Sequence, residues 1–543
     1  MKIIDLTMFR GMLPRLNAKL LQPFQAADST NADLDRGDLR PYKGTTSLTA
    51  LSKPGVIQTI YRYAATSNPA EGYWFHWTTD VDVVRGPVPG DTEELTYYTG
   101  DGSPKFTYAS IATSGGTGYP TNSYLMGVPA PSAGMLSVKG GTADGDATAE
   151  DSEIRSYVVT YVTDKGSEGP PSDPVIAQSI LPGEYITLSG IPTGPGGNYN
   201  ITTKRIYRTV TTDSSSEYQL VAELAVATDT YQDNVSSLNL GGVLPSEEWY
   251  PPPTDMVNLG VMPNGIMYGL SGNSVCFSKA FLPNAWGPLD RQALPYTPIG
   301  AGHFDNTVVV LTDKNPVLFT GTDPESMSQE ELGINQACLS KRSVVNTPYG
   351  VVFASPDGLI MIGPQGYKNL TQSYFTRDQW NALDPSTIMG VFHDNRYIGF
   401  YDDGTNQKCF ILDPTDSESG LRYADTHAVH AYSDAFTDEL FLLIGSNVHT
   451  WNSGSNLSYT WRSKLFELTR AQTPTAARIT ADSYASITFN LYVDGALKHT
   501  QSVTNGNAFR MPRGYKGRLF QVEVVATDVI TRIEVASSSA GLV

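Results

Sequence analysis

Five pairs of apolar segments recur at nearly constant spacing between Gly265 and Trp451 of this 543-residue chain. Each pair consists of two short runs rich in Val, Ile, Leu, Phe and Tyr, separated by a turn signal such as Ser271-Gly272-Asn273 or Pro356-Asp357-Gly358. Such an arrangement predicts antiparallel β-hairpins. The hairpins begin at residues 265, 306, 350, 396 and 439, and this spacing of about 41 to 46 residues is that of a four-stranded propeller blade.

A two-stranded hairpin is only marginally stable alone in water. Blades arranged around one axis bury both faces of each hairpin against their neighbours. Unrelated hairpins in separate sandwiches are the alternative, and the near-constant spacing favours the propeller over them. We therefore predict an all-β chain in which residues 251–459 form blades of a β-propeller.

The segment 51–139 has the same strand pattern and is predicted to supply the first propeller blade or blades. Val56–Tyr63 and Tyr73–Trp77 are rich in aromatic and β-branched residues, and Leu95–Thr99 precedes a Gly-Asp-Gly turn signal. Residues 1–50 lack any such period, so we predict an N-terminal arm that attaches to another element or to another subunit. The 50 Gly and 35 Pro of the chain agree with many short strands joined by turns.

Residues 140–250 have a different pattern of short strands. An acidic, Gly-rich approach leads into Tyr157–Thr163, which is followed by the turn Gly169-Pro170-Pro171-Ser172. Several further short strands fit the spacing of a small β-sandwich. The aromatic strand with its Gly-Pro-Pro-Ser turn resembles a fibronectin type III module, so we predict an inserted fibronectin III-like β-sandwich.

The last segment, residues 460–543, is predicted to be a C-terminal β region. Ile487–Val493 runs into the turn signal Asp494-Gly495, and Phe520–Val525 and Ile530–Val535 also read as strands. The pattern leaves two possibilities open: these strands either close the propeller ring or form a small sandwich.

The formal net charge of −18 limits the possible partners. Tight binding to DNA or to an anionic membrane requires a surplus of Lys and Arg, which this chain lacks. Double-stranded DNA that passes without tight or sequence-specific binding is still compatible with this charge. We also predict no signal peptide and no membrane span, because the chain has no apolar run of sufficient length. The three separated cysteines, Cys276, Cys338 and Cys409, favour folding in a reducing cytoplasm.

Sequence motifs for catalysis, cofactor binding or metal binding are absent, so we assign no catalytic, cofactor or metal residues and predict that the chain is not an enzyme. His427 and His430 would lie on opposite faces of a strand, and we interpret them as surface histidines. The carboxylates Asp144, Asp146, Glu150 and Asp151 lack a calcium-loop spacing and are interpreted as a solvated acidic linker.

Two further motifs have plain structural interpretations. Ser355-Pro356-Asp357-Gly358 matches the start of the aspartate box of sialidase propellers, but its later positions do not match and it occurs once, so we interpret it as a β-turn. Lys341-Arg342 and Trp461-Arg462-Ser463-Lys464 are small basic spots, which we interpret as intersubunit ion pairs rather than nucleic-acid contacts.

Several short segments resemble the nozzle, or tail tubular protein B-like, family of short-tailed bacteriophages, and together they span nearly the whole chain. They are Phe9–Pro14, Gly37–Pro41, Met262–Met267 with Ser271–Asn273, Gln336–Ser343, Phe375–Trp380 and Trp461–Lys464.

The resemblance implies a virion structural protein of the phage tail, assembled in the cytoplasm of the host bacterium. Its partners would be copies of itself in a hexameric ring, the adaptor or head-to-tail connector protein, and tail fibre proteins. The ring would continue the DNA channel below the portal and adaptor, retain packaged DNA and guide its ejection.

Two other functions stay open from the residues. A receptor- or glycan-binding tail propeller would use aromatic loops such as Tyr73–Trp77 to contact the host surface. A glycosidase would require two carboxylates about 5 to 10 Å apart, which a linear sequence cannot place.

Overall fold

The computed structural model describes residues 2–63, 72–211 and 216–542, and it consists almost entirely of antiparallel β-strands. Within these residues, six small sheets and four strands of a ten-stranded sheet are arranged in a ring and form a β-propeller. We number its blades 1 to 7 in chain order. Blades 3 to 6 each have four strands in the sequential order 1-2-3-4.

The strands of the regular blades follow one another along the chain. Blade 3 contains Val257–Val261, Met267–Ser271, Ser274–Phe277 and Arg291–Ala293; blade 4 contains Pro298–Phe304, Thr307–Thr312, Val317–Thr320 and Ser328–Glu331; blade 5 contains Val345–Thr347, Gly350–Ser355, Gly358–Gly363 and Gly366–Asn369; blade 6 contains Met389–His393, Arg396–Asp402, Gln407–Leu412 and Arg422–Ala424.

The other three blades are less regular. Blade 1 is the hairpin Thr59–Tyr63 and Tyr73–Trp77; blade 2 contains Asp82–Arg85, Thr96–Thr99, Lys105–Thr107 and Tyr124–Leu125; blade 7 contains His430–Asp434, Glu439–Ile444, Asn447–Thr450 and, as its outermost strand, Thr46–Ala50 from the N-terminal arm. Helices are short: in the described residues the α-helices are Ala109–Ala112 and Arg377–Asn381.

The ring of blades is closed by a hydrophobic cluster at each of its seven interfaces. Each cluster contains buried residues from two neighbouring blades, including the pairs 7–1 and 1–2 that complete the circle. The strand Thr307–Thr312 is buried along its whole length, because Val308 and Val310 face blade 3 while Val309 and Leu311 face blade 5. Burial on both faces is what makes a hairpin stable within this ring.

All five hairpins predicted from the sequence are present. They are the second and third strands of blades 3 to 7, and their strand pairs begin at Met267, Thr307, Gly350, Arg396 and Glu439. The three free cysteines are buried in three different blade interfaces, where they serve as small core residues.

The N-terminal arm ties distant parts of the chain together. Besides closing blade 7, it pairs Lys2–Leu6 with Ile530–Ala536 and Ala26–Thr30 with Tyr459–Ser463. The ring is therefore completed by an N-terminal strand.

The C-terminal strands form a two-sheet sandwich beside blade 6. Its core cluster includes Phe489, Val522, Ile533 and Trp461, and Phe9 of the arm packs edge-on against the Trp461 ring at 5.1 Å between centroids. One of its sheets is continuous with blade 6, because Ala26–Thr30 pairs with both neighbours. The remaining strands of this region are Phe466–Gln472, Ala476–Ala481, Ile487–Val493, Ala496–Ser502, Phe509–Arg510 and Gly517–Ala526.

The inserted sandwich leaves the propeller after blade 2 and returns into blade 3. Two layers enclose a core that includes Tyr157, Val159, Ile186 and Ile206. One layer contains Leu136–Gly141, Glu184–Ser189 and Thr230–Asp233; the other contains Tyr157–Thr163, Ile201–Thr211 and Ser216–Ala225. Glu153–Arg155 and Gln178–Ile180 form a separate two-stranded sheet.

Polar contacts fix this insert to the two blades beside it. The Asn284 side-chain amide of blade 3 donates to the Glu168 carbonyl oxygen at 2.8 Å, and Lys165 lies 3.2 Å from the Glu93 carboxylate of blade 2. The Leu125 amide also donates to the Asn198 carbonyl oxygen at 2.7 Å. The insert is therefore docked on the propeller rather than tethered by a free linker.

Candidate functional site at the propeller axis

A short basic turn occupies one end of the propeller axis. Lys341–Ser343 forms a 3₁₀ turn immediately before blade 5. The Ser343 hydroxyl donates to the Ser340 carbonyl oxygen at 2.7 Å and accepts from the Ala354 amide at 2.9 Å. These bonds hold Lys341 and Arg342 towards the centre of the ring.

Lys341 forms ion pairs with two carboxylates at the start of blade 2. Its Nζ atom lies 3.1 Å from Asp80 Oδ2 and 2.9 Å from Asp82 Oδ2. The Asp82 carboxylate also accepts the Asn258 amide of blade 3 at 2.8 Å. Asn258 has a left-handed backbone, with φ at 58°, and its side chain donates to the Ala301 carbonyl oxygen of blade 4 at 3.0 Å.

Arg342 reaches the blades on the other side of the axis. Its Nη1 donates to the Val429 carbonyl oxygen before blade 7 at 3.1 Å, and its Nη2 lies 3.4 Å from Gln58 Oε1 before blade 1. Its Nε is 3.5 Å from Asp80 Oδ1. The Ser340 hydroxyl donates to the Ile388 carbonyl oxygen before blade 6 at 2.8 Å, so this hub joins all seven blades.

The pKa shifts at the hub agree with paired, partly buried charges. Burial alone would lower the pKa of Lys341, but the charges of Asp82 and Asp80 outweigh that effect and raise it. Burial also raises the pKa of Asp82, and the neighbouring Lys341 opposes that rise. The pair therefore stabilises the charged form of Lys341, whereas burial outweighs Lys341 at Asp82 and leaves the pKa of that carboxyl raised.

His430 opens the inner strand of blade 7 beside this hub. Burial, reinforced by the positive charge of Arg342, lowers the pKa of His430 to about 4. Its Nδ1 lies 3.5 Å from the Ile60 amide nitrogen of blade 1. His427 packs edge-on against Phe400, and burial lowers its pKa as well. The prediction that both are surface histidines is wrong, because both rings are half-buried at blade junctions.

The chemistry of the hub is structural. Each cation described above is held by carboxylates or carbonyl oxygens of its own chain. The interpretation of Lys341 and Arg342 as intersubunit ion pairs is therefore wrong. The turn closes one end of the axial passage, so the centre of this propeller is not an open tunnel at that end.

The other sequence candidates lie apart from the hub. Asp144, Asp146, Glu150 and Asp151 are all exposed on the insert, where the Asp151 carboxylate accepts the Thr148 amide and hydroxyl at 2.8 and 2.7 Å. Among the residues that the structure describes, no group of three or more His, Cys, Asp or Glu side chains is placed to hold a metal ion. Within the same residues, no helix is long and apolar enough to cross a membrane.

Ser355–Gly358 forms the tight connection between two strands of blade 5. The Ser355 hydroxyl donates to the Gly358 carbonyl oxygen at 2.8 Å, and the Asp357 carboxylate lies 3.0 Å from Arg377 Nε. Gly358 has φ at 145°, and a Cβ atom there would lie 2.4 Å from Thr371 Oγ1. The motif therefore serves packing within the blade.

Two aromatic segments named from the sequence are parts of the core. Trp74, Phe75 and Trp77 are buried in the blade 1 interfaces, so the strand Tyr73–Trp77 is not an exposed recognition loop. Trp461 is fully buried in the C-terminal sandwich, and the Arg462 guanidinium lies 4.0 Å from the centroid of the Tyr492 ring.

A cavity of about 460 Å³ between blades 6 and 7 contains the carboxylates Asp33 and Asp35 of the N-terminal arm. Asp35 lies 2.5 Å from Arg396 Nη2 and 2.6 Å from Arg422 Nη1. Burial and the charge of Asp35 raise the pKa of Asp33, whereas the two arginines outweigh burial and lower the pKa of Asp35. These ion pairs anchor the arm to blade 6.

A second cavity, of about 640 Å³, is an aromatic groove lined by two turns of blade 5 and by the Pro414–Thr415 loop of blade 6. Tyr349 and Tyr367, with 36% and 58% of their surface exposed, line it together with Met361, Pro364 and Pro414. Exposed aromatic rings beside polar groups suit the binding of an amphipathic ligand.

Sequence reasoning missed Asp80, Asp82, Gln58 and Asn258 as hub residues. Asp80 and Asp82 flank Val81 at the start of a strand, but Lys341 lies 261 and 259 positions away from them. No local pattern connects the two segments. Only the closed ring of blades brings them together.

Comparisons with known proteins do not identify a family for this chain. No family model matches the sequence, and no curated protein sequence matches it. Similar solved structures include an exo-β-1,3-galactanase from Phanerochaete chrysosporium with galactose, at a TM-score of 0.20 and 10% identity over 53% of this chain and 98% of that chain. Others are the N-terminal domain of Nup159, at 0.23 and 8% over 59% and 87%, and the CNH domain of AfRom2, at 0.24 and 8% over 72% and 99%. At these scores, the likeness carries no functional argument.

Proposed function

We propose that the chain is a structural subunit of the tail nozzle of a short-tailed bacteriophage. Several copies would form a ring that continues the DNA channel below the portal and adaptor, retains packaged DNA and guides its ejection. Tail fibre proteins and the adaptor would be its neighbours in the virion tail.

The observation that carries this proposal is where the family-like segments lie in the fold. Phe9 of the first segment packs on Trp461 of the last, and Lys341-Arg342 occupies the hub. Trp380 is buried in the interface of blades 5 and 6, and Met262 is buried between blades 3 and 4. Five of the segments that resemble the nozzle family thus contribute side chains to joints of this architecture, whereas Ser271–Asn273 forms an exposed turn of blade 3.

The closed axis supports a channel located between copies of the chain. Because Lys341 and Arg342 join the blades at the centre, DNA would pass beside each propeller and not through it. Copies arranged head-to-tail around a common axis form a ring if the rotation closes. The net charge of −18 supports a wall past which DNA slides without adhering.

Imaging of the purified chain by negative-stain electron microscopy tests this proposal. Closed rings with a central opening wide enough for double-stranded DNA, about 20 Å, are expected. Particles that remain monomeric at concentrations of tens of micromolar, and virions whose tails lack the chain, would overturn the nozzle assignment.

The aromatic groove on blade 5 favours a second candidate function, a receptor- or glycan-binding propeller. Tyr367 offers an exposed ring for stacking, and Gln365 and Lys368 provide polar groups beside it. Binding of the monomer to host cells, lost in Tyr367→Ala but not in Tyr185→Ala on the insert, would favour this function over the nozzle.

A further inference from the structure

The charge of the chain is divided unevenly between its two peripheral domains. Residues 136–250, which form the insert, contain 16 acidic and 6 basic residues, whereas residues 460–543 contain 6 acidic and 10 basic residues. The insert therefore carries a net charge of −10 and the C-terminal region one of +4. Such opposite charges attract across distances of about one Debye length, roughly 10 Å in 0.1 M salt.

The two domains also lie on opposite sides of the propeller. The insert lies between blades 2 and 3, and the C-terminal sandwich continues the sheet of blade 6. Blades 3, 4 and 5 separate them in one direction, and blades 2, 1 and 7 separate them in the other. This placement brings the insert of one copy towards the C-terminal sandwich of the next in a head-to-tail arrangement.

Apolar side chains at the outer edge of the insert are exposed and face away from the core of the insert. In the edge strand Leu136–Gly141, Ser137 and Lys139 face the buried Leu188 and Ile186, while Leu136 and Val138 face outward with 63% and 57% of their surface exposed.

Ile176, 81% exposed, lies beside the other face of this strand, since its carbonyl oxygen accepts the Ser137 hydroxyl at 3.0 Å. Exposed aliphatic side chains therefore border this edge strand on both sides, and such exposure at an unpaired strand edge marks an interaction surface. We name Leu136, Val138 and Ile176, with the acidic residues beside them, the insert edge.

Carboxylates without ion-pair partners lie at both ends of the insert edge. Asp173 precedes Ile176 by three residues, and Asp144 and Asp146 follow the edge strand. All three are exposed, and within the described ranges none of them forms an ion pair. An apolar centre with a charged rim is the usual composition of a protein interface.

The far end of the C-terminal sandwich has the complementary charge. Arg513, Lys516 and Arg518 are exposed, and no ion pair involves them in the part of the chain that the structure describes. The Arg518 amide donates to Asp494 Oδ1 at 3.2 Å, which places Arg518 at the turn before the edge strand Ala496–Ser502, and Arg513 and Lys516 lie in the segment that leads to it. In that strand, 50% of the surface of Leu497 is exposed. The strand is the last of its sheet, so the backbone groups on its outer side have no neighbouring strand in the described residues. We name Leu497, Arg513, Lys516 and Arg518 the basic end.

We propose that the insert edge of one copy docks on the basic end of the C-terminal sandwich of the next copy. This interface would be the contact between neighbouring copies in the ring, so the inference rests on the proposed function, which supplies the ring. Apolar contact between Leu136, Val138 and Ile176 and the Leu497 surface would form its centre. The Asp and Arg/Lys residues would fix its register and accelerate association.

A charge exchange between two variants tests the interface on the full chain. Asp146→Lys/Asp173→Lys makes the insert edge basic, and Arg513→Glu/Lys516→Glu makes the basic end acidic. Each variant alone should associate at least tenfold more weakly than the wild type in analytical ultracentrifugation. An equimolar mixture should recover assembly in strict alternation, because each variant then meets an opposite charge on both sides.

Two matched controls carry the same charge changes on the propeller and the arm. Glu330→Lys/Glu418→Lys and Arg36→Glu/Lys43→Glu alter exposed side chains without ion pairs in the described residues, and both should assemble as the wild type does. Unchanged circular dichroism and thermal midpoints would show that all four variants are folded.

The outcomes separate this interface from the nozzle assignment. Rings that form equally well in both exchange variants, or a mixture that does not recover assembly, would overturn the interface while leaving the ring in place. Alternating assembly into open chains would support the interface and overturn the nozzle ring. Wild-type protein that stays monomeric would overturn both.

Discussion

Charges at the hub of the propeller are paired within the chain, whereas charges at its two peripheral ends are not. Lys341 lies about 3 Å from both Asp80 and Asp82, while Asp146 on the insert and Arg513 on the C-terminal sandwich form no ion pair in the described residues. The same side-chain types therefore have different roles in the two regions. Paired charges fix the shape of one chain, whereas the unpaired charges form part of the contact that we propose between neighbouring copies.

The largest expected effect comes from removing the arm that completes the fold. Deletion of residues 2–50 takes away the outer strand of blade 7 and the strand that joins blade 6 to the C-terminal sandwich. We expect a loss of more than about 5 kcal/mol in the free energy of unfolding, because several buried interfaces are lost together. Urea unfolding followed by Trp fluorescence measures it. A deletion variant that keeps a single cooperative transition at the wild-type midpoint would contradict this role of the arm.

Loss of the hub cation should have the next largest effect. Lys341→Met leaves Asp82 without its cation and Asp80 with Arg342 alone, and we expect a loss of about 2 to 3 kcal/mol because the Lys341 side chain is only 25% exposed. Arg513→Met at the basic end should change the stability of the monomer by less than about 0.5 kcal/mol. If chemical denaturation shows that the two substitutions lower the free energy of unfolding equally, the hub charges and the peripheral charges do not differ in their contribution to stability.

The pH dependence of stability tests His430 at the same hub. Its folded pKa of about 4 lies below its ordinary value of 6.5, so the unfolded chain binds a proton first as the pH falls. The neutral ring costs nothing above pH 6.5, and stability is lost as the pH falls from 6.5 to 4, by about 2 to 3 kcal/mol.

His430→Asn should flatten this acid loss. Thermal midpoints measured between pH 7.5 and pH 4.5 compare it with His499→Asn in the C-terminal sandwich. Identical acid slopes for the wild type and His430→Asn would contradict the neutral state of this half-buried histidine.

The smallest effect expected is that of salt on the monomer, in contrast to its effect on assembly. Raising the salt concentration from 0.05 to 0.5 M screens the exposed carboxylates of the insert edge and the cations of the basic end. Association should weaken several-fold, while the unfolding midpoint of the monomer shifts by only about one degree. Sedimentation and thermal unfolding at the same concentrations separate the two quantities. Association that strengthens with salt would favour a purely apolar interface.

The sequence predicts the repeating part of the fold well, because each blade hairpin is a local signal. Val308 to Leu311 and Val351 to Phe353 read as strands from their own residues, and their spacing gives the blade period. Strands between two neighbouring blades are buried on both faces, so they appear in the sequence as runs of consecutive apolar residues. The number of blades was not predictable, since blades 1 and 2 lack the regular period.

The closure of the ring and the hub were not predictable for a different reason. Thr46–Ala50 pairs with Asn447–Thr450, and Lys341 pairs with Asp80 and Asp82, across roughly 260 to 400 positions. The strand Thr46–Ala50 is largely exposed, so it lacks the apolar pattern that marks a core strand. Contacts of this kind form only when the complete fold brings distant segments together, and a short sequence pattern does not show which distant segment will lie beside it.

The most direct test of the account is a single-particle reconstruction of the assembled chain. We expect a ring in which each insert contacts the C-terminal sandwich of the next copy. The channel should lie between the copies, and Lys341 and Arg342 should close the axis of each propeller. A reconstruction in which the channel runs through the propeller axis itself, with the Lys341 turn displaced from Asp80 and Asp82, would contradict it.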